Sequence, residues 1–236
     1  MRQAAQRNDA RRPVPARILL AGHEVLLLPA GAAYLPDERL LVVADLHLGK
    51  GLAYASGGQM LPPYDSLDTM RRLLVLVHHW QPERLVLLGD SIHRQRLMEA
   101  SLAPVAAELE ELARSVKLVW ITGNHDPALS GLPGEVAGEI ELPGALRLRH
   151  EPAEDGHPEI VGHLHPAARL PTRAGRQRRR CFVVAEPRLL LPAFGALTGA
   201  LCVSDPAIAG LFPASRSRVY LMLGEGLAEL PMTAVS

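Results

Sequence analysis

Apolar residues change their spacing twice along this chain, from strand-like runs to a helical period and back to short strands. Ile18-Leu19-Leu20 and His23 to Leu28, divided by Ala21-Gly22, predict a hairpin, and Arg39 to Ala44 predicts a buried strand ending at Asp45. Gly49 to Pro63 holds four glycines and two prolines, which predicts a long loop. Asp65 is then expected to cap a helix whose apolar residues Leu67, Met70, Leu73, Leu74 and Val77 share one face. A short strand, Arg84 to Leu88, leads into Gly89-Asp90. Leu102, Val105, Leu109, Leu112 and Val116 recur at helical spacing over Met98 to Val116, and a strand from Lys117 to Thr122 leads into Gly123-Asn124-His125-Asp126. Beyond this β-α-β-α-β run the helical period fades. Leu146 to Arg149, Glu159 to Gly162, Arg180 to Ala185, Arg188 to Leu191 and Arg218 to Leu223 read as short strands between Gly and Pro. An α/β half followed by a mostly β half predicts two packed sheets with helices outside. Residues 1–14 are polar and Arg-rich and read as a mobile leader ahead of one domain, 15–236.

Composition narrows the picture without naming a function. A chain of 236 residues with 48% hydrophobic content can bury a large core. Lys and Arg number 25, as do Asp and Glu, so no whole-molecule field draws in nucleic acid or an anionic membrane, and any such attraction must be local. Cys181 and Cys202 lie too far apart for a C-x-x-C motif and are too few to staple a secreted scaffold, so both are expected as small buried residues. With no signal-peptide pattern and no run of about 18 apolar residues, a cytoplasmic protein with no membrane partner is expected.

The candidate chemistry lies where polar residues interrupt this scaffold. Asp45-Leu46-His47, Gly89-Asp90 and Gly123-Asn124-His125-Asp126 each follow a hydrophobic strand, and in open α/β sheets such carboxyl ends line one crevice. His150 and Gly162-His163-Leu164-His165-Pro166 come from the β half. Six of the ten histidines fall in these segments or just after Asp90. Carboxylates, imidazoles and an amide carbonyl, without thiolate, suit Mn, Fe, Zn or Mg rather than a structural zinc. Seven candidates are enough for two ions about 3.5–4 Å apart that share a carboxylate. Singly, each piece has an ordinary explanation: a Gly-Asp after a strand is usually a turn, and His163 and His165 at strand spacing point to one face of any edge strand. The ordered set is what carries chemistry.

Asp45-x-His47, Gly89-Asp90, Gly123-Asn124-His125-Asp126, His150 and Gly162-His163-x-His165 resemble the five ordered blocks of the calcineurin-like metallophosphoesterases. The resemblance runs from about residue 39 to 166. It implies a four-layer α-β-β-α sandwich of two mixed sheets flanked by helices, with a dimetal site at one edge. It also implies that Asp45, His47 and His165 hold one metal, that Asn124, His150 and His163 hold the other, and that Asp90 bridges them. In this family the histidine at the His125 position stands beside the leaving oxygen as a cation or proton donor, and Asp126 is expected to orient it. The nucleophile is a metal-activated hydroxide attacking phosphorus in line.

Finer features bear on the ester. Gly89-Asp90-Ser91-Ile92-His93 resembles the second block of DNA double-strand-break repair nucleases, in which a histidine three places after the bridging Asp positions the scissile nucleotide; His93 is therefore expected to act on substrate. Val42 to Lys50, Arg149 to Pro152 paired with Gly162 to Pro166, Val184 to Arg188 and Leu191 to Gly195 are similar to the ligase-associated DNA damage response endonucleases. That likeness implies a manganese-dependent DNA endonuclease working in DNA repair beside a ligase and a helicase. Lys50, Arg94 and Arg96 adjoin the blocks and are candidates for substrate binding. Five of the eight residues from Arg173 to Arg180 are arginine, either a phosphate-contacting strip or a solvated hairpin tip. The alternatives are a small-nucleotide or lipid phosphoesterase and a non-catalytic scaffold of the same fold.

Overall fold

Two sheets, packed face to face, carry the polar blocks to one edge. The computed structural model describes residues 14–56, 64–94, 98–172 and 175–235. Strands β1 (Ala16–Leu20), β2 (His23–Leu28), β3 (Ala32–Leu35) and β4 (Leu40–Ala44) form an antiparallel meander. From β4 the pairing turns parallel, through β5 (Arg84–Leu88), β6 (Lys117–Ile121) and β7 (Glu135–Ala137). The second sheet contains β8 (Glu139–Leu142), β9 (Leu146–Arg149), β10 (Glu159–Val161), β11 (Pro166–Thr172), β12 (Gly175–Ala185), β13 (Arg188–Leu190), β14 (Leu201–Cys202), β15 (Arg218–Leu223) and β16 (Gly226–Pro231). Its spatial order is β14-β11-β12-β13-β10-β9-β8, with β15 beside β12 and β16 beside β15.

Strand alternation divides the apolar residues of β4, β5 and β6 between two layers. Leu41, Val43, Leu85, Leu87 and Trp120 pack under helices α2 (Asp65–Trp80) and α4 (Ala106–Ser115). Leu40, Val42, Val86, Leu88, Val119 and Ile121 meet Leu146, Leu148, Ile160, Phe182 and Leu189 of the second sheet. Strands covered on both faces read as continuous apolar runs, which is why they were legible. The outer face of the second sheet, with Val161, Cys181, Val183 and Leu221, is covered by Val203, Ile208, Phe212 and Met232. The fourth layer is thus the one-turn helix α5 (Pro206–Ala209) and its flanking chain. No helix among the described residues is long and apolar enough to cross a membrane.

Several expectations need correction. The stretch expected as a loop from Gly49 contains helix α1 (Lys50–Ser56). Its amino end is held from elsewhere in the chain: Gly49 N–H donates to Ser66 Oγ (2.8 Å) and Gly51 N–H to Asp65 Oδ2 (3.1 Å). Asp65 therefore caps the neighbouring helix and not its own, whose N-cap is Tyr64 without a side-chain bond. The helix expected over Met98 to Val116 is divided into α3 (Met98–Leu102), a 3₁₀ turn at Ala103–Val105 and α4, because Pro104 has no N–H to continue the ladder. Strand β12 starts at Gly175, so the described arginines of the run lie in a strand rather than at a tip. β3, β7, β8, β11, β14 and β16 were not expected; β3, β7, β8 and β14 have at most four residues, and β11 and β16 carry proline and no clean alternation of apolar and polar positions. Cys181 is buried as expected, but Cys202 is partly exposed. Residues 1–13 of the expected leader, together with Arg96 and Arg173, lie outside the described residues.

Candidate metal centre

The parallel strands β4, β5 and β6 end side by side, and Asp45, Asp90 and Asn124 follow them within three residues. From the second sheet, the parallel pair β9 and β10 ends in His150 and in His163 and His165. Asp45, His47 and His165 form one cluster and Asp90, His150 and His163 another, with the donor atoms of each within 4.8 Å of one another. In the first, His47 Nε2 lies 3.2 Å from His165 Nε2, which is 3.3 Å from Asp45 Oδ1. In the second, His150 Nε2 lies 3.2 Å from His163 Nδ1 and 3.1 Å from Asn124 Oδ1. Asp90 stands between them, with Oδ1 3.4 Å from His150 Nε2 and Oδ2 3.8 Å from His47 Nε2. His163 and His165 are not in a strand. Both have positive φ (71° and 44°), and the intervening reversal sends one imidazole to each cluster.

This donor set fits divalent cations. Asp45 and Asp90 are buried carboxylates, and burying such charge without a cation is costly. The convergent donors are all oxygen and imidazole nitrogen, which suits the metals expected above. Backbone strain is concentrated here too: of nine described non-glycine residues with positive φ, five are Asp45, His47, Asp90, His163 and His165. The glycines of the blocks are required by close approach. A Cβ on Gly89 would meet the His150 ring at 2.4 Å, and one on Gly123 would meet Asp90 N at 2.3 Å.

Protonation follows from the same contacts. Burial, with His165 and Lys50 nearby, pushes His47 down to about 2, so it is neutral and ready to ligate. Burial tends to raise the Asp90 carboxyl, but the hydrogen bond and charge of His150 outweigh it and hold Asp90 at about 2. For His150, burial acts to lower the imidazole, while Asp90 and Asp45 raise it to about 9. His150 Nδ1–H donates to the Leu88 carbonyl (3.0 Å), so the titrating proton sits on Nε2, the atom that faces the cluster. A metal must displace that proton. Metal affinity is therefore expected to rise with pH up to about 9, by roughly one log unit per pH unit. Calorimetry in buffers of different ionisation enthalpy should find about one proton released per chain at pH 8; pH-independent binding without proton release would exclude this ligand.

The remaining candidates divide. His125 is 40% exposed at the side chain, with Nε2 3.9 Å from Asp90 Oδ2, and its Nδ1–H donates to the His93 carbonyl (2.9 Å). The expected pairing of Asp126 with His125 is replaced by another arrangement. Asp126 is fully buried, and its carboxylate accepts from the N–H groups of Asp90 (3.1 Å), Gly123 (2.9 Å) and Ile92 (2.9 Å). It fixes the two loops that present Asp90 and Asn124. Burial pushes its carboxyl up to about 6, against these N–H groups. His93 stacks on His125 (ring centroids 5.3 Å apart), and its Nδ1 lies 3.4 Å from His47 Nδ1. It therefore backs a candidate ligand as well as facing the site. Burial, with Lys50 and His125, pushes it down to about 4, so it is neutral at pH 7. Lys50 is half-buried beside the centre and Arg94 is exposed.

One residue escaped the sequence reading. Arg149 lines a cleft of about 440 Å³ with Asn124, His150, Glu139 and Glu151; its adjacency to His150 was the available signal. Arg180, the last residue of the arginine run read as either a phosphate-contacting strip or a solvated tip, is near enough to Lys50 for their charges to interact.

A family model described as calcineurin-like phosphoesterase matches residues 38–173. A search of curated proteins finds no match. Among solved structures, the Pseudomonas putida nuclease MPE is 32% identical, with a TM-score of 0.72 covering 92% of this chain and 100% of that one. Yfce, a phosphoesterase from E. coli, is 19% identical over 82% of this chain and 98% of its own, with a TM-score of 0.39.

Proposed function

Because this chain belongs to the calcineurin-like phosphoesterase family, we propose that it hydrolyses phosphodiester bonds in DNA as a two-metal endonuclease. In this reading Asp45, His47 and His165 would hold one divalent ion, Asn124, His150 and His163 would hold the second, and Asp90 would serve both. The position of Asp90 carries the reading: its two oxygens face different clusters, at 3.4 Å from His150 Nε2 and 3.8 Å from His47 Nε2. Bound divalent ions lower the pKa of water and neutralise charge on the phosphoryl oxygens.

The chain's own residues do the rest. The His93 carbonyl can only accept, so His125 Nδ1 carries a hydrogen and Nε2 is the atom that exchanges a proton. A protonated Nε2, near the Asp90 carboxylate, is suited to donate to the leaving oxygen. Neutral His93 keeps a hydrogen for one ring nitrogen, available to a phosphate oxygen, while the other steadies His47.

The DNA part of the proposal is supported by similarity to the nuclease MPE and by His93, Lys50 and Arg94 at the site. Manganese as the working ion, and a repair role beside a ligase and a helicase, rest on the sequence resemblance. The test is hydrolysis of bis-p-nitrophenyl phosphate and nicking of circular single-stranded DNA in Mn²⁺, with EDTA abolishing both. Small-ester turnover without DNA scission would replace the nuclease with a small-phosphoester hydrolase. Metal binding without any turnover would leave a scaffold.

A further inference from the structure

The chain is electrically balanced in number, yet its cations are unevenly matched. Several arginines hold carboxylates: Arg149 with Glu139, Arg188 with Glu159, Arg218 with Glu229. Lys50, Arg169, Arg176, Arg178 and Arg180 have no carboxylate partner among the described residues; Arg84, Arg114, Lys117 and Arg216 also lack one, but Arg169, Arg176, Arg178 and Arg180 are gathered on the paired strands β11 and β12. Along β12, Arg176, Arg178 and Arg180 fall at alternate positions and so share a face. In the register of β11 with β12, Arg169 stands directly opposite Arg178. Like charges facing each other across two strands weaken the sheet, so this pair is unfavourable unless an anion lies over it.

The row connects to the metal centre through one segment. Arg178 donates to the Ala200 carbonyl, and Arg180 to those of Ala193 (3.0 Å) and Ala196 (3.4 Å). The same segment begins against the first metal-ligand loop, where Ala193 bridges Ala44 and Gly195 N–H donates to the Asp45 carbonyl (3.1 Å). At the centre, the ammonium of Lys50 is near enough to feel the charges of both Arg180 and Asp90. Arg180 is half-buried with its donors on neutral carbonyls, so its charge is available to a ligand. On the other flank, the cleft beside Asn124 carries Glu139 and Glu151, and its Arg149 is already bound to Glu139 (2.7 Å). A polyanion crossing the centre meets free cations on one side and carboxylates on the other.

From this asymmetry we propose that the face of the β11–β12 hairpin bearing Arg169, Arg178 and Arg180, continued by Lys50, is the track along which one strand of a polynucleotide enters the centre by its phosphates. Residues two apart on a strand are about 6.7 Å apart, so Arg176 to Arg180 covers about 13 Å of backbone. The proposal rests on the phosphodiesterase reading above and adds which surface holds the nucleic acid.

The test is binding of a fluorescein-labelled single-stranded oligonucleotide to the full chain in EDTA, measured by anisotropy across a salt series. EDTA separates binding from cleavage. Each lost phosphate contact should lower the slope of log K against log[salt] by about 0.7 for a single strand, so R169A/R178A should lower it by about 1.4 and weaken binding at every salt concentration. R169A alone, whose side chain braces no carbonyl, should lower it by about 0.7 with an unchanged melting temperature. R114A, on the exposed side of α4, should leave the slope as it is. Wild-type affinity and slope in both hairpin variants would overturn the track, as would an equal loss in R114A. If the wild type nicks DNA in Mn²⁺ and the hairpin variants bind normally, the track alone fails. If the wild type neither binds nor cuts DNA, the nuclease reading fails with it.

Discussion

Replacing Asp90 with alanine is expected to abolish hydrolysis of every phosphoester, DNA and small esters alike, and to lower the metal content of the purified protein. No neighbouring donor can take its place: its two oxygens are the groups that approach both His150 and His47. Its Oδ1 also accepts from His125 N–H (2.9 Å), so alanine would loosen the His125 loop as well. Asp90→Asn separates these effects. Asparagine can keep an acceptor toward His125 N–H but carries no charge to share between two cations, so the protein should melt normally and still lack activity. Metal analysis by mass spectrometry together with p-nitrophenyl ester assays decides the matter. Full activity with normal metal content in either variant would remove the shared-carboxylate model.

His125→Ala is expected to lower the rate by about 10²–10⁴ while leaving metal content unchanged, since the ring lies outside both clusters and, on the proposed reading, serves the leaving group. The size should depend on the leaving group. An alkoxide leaving from DNA needs a proton as the bond breaks, whereas p-nitrophenolate leaves as a stable anion, so the loss should shrink for p-nitrophenyl esters. Equal losses on acidic and basic leaving groups would assign His125 to ground-state binding instead.

Much of the scaffold was legible because it is written locally. The buried runs Leu40–Ala44, Arg84–Leu88 and Lys117–Ile121 are strands whose ends carry Asp45, Asp90 and Asn124. Each polar block reads as a unit because its glycine and its donors lie within a few residues. The helix α1 was hidden since its amino end is capped by Ser66 and Asp65, side chains that follow it. The strand character of the arginine run was masked because charge conceals a period of two in a segment exposed along most of its length.

By itself, then, the sequence determined which residues could ligate and in what order they come, since strand exits and their donors are properties of short segments. Tertiary structure alone decided how they are shared out. His47 and His165 meet across 118 positions, His163 and His165 part to different clusters through left-handed turns, and Asp126 serves three main-chain N–H groups instead of an imidazole. Those outcomes depend on how two sheets pack through their common apolar layer, a constraint that joins distant segments and leaves no mark in the spacing of any one of them.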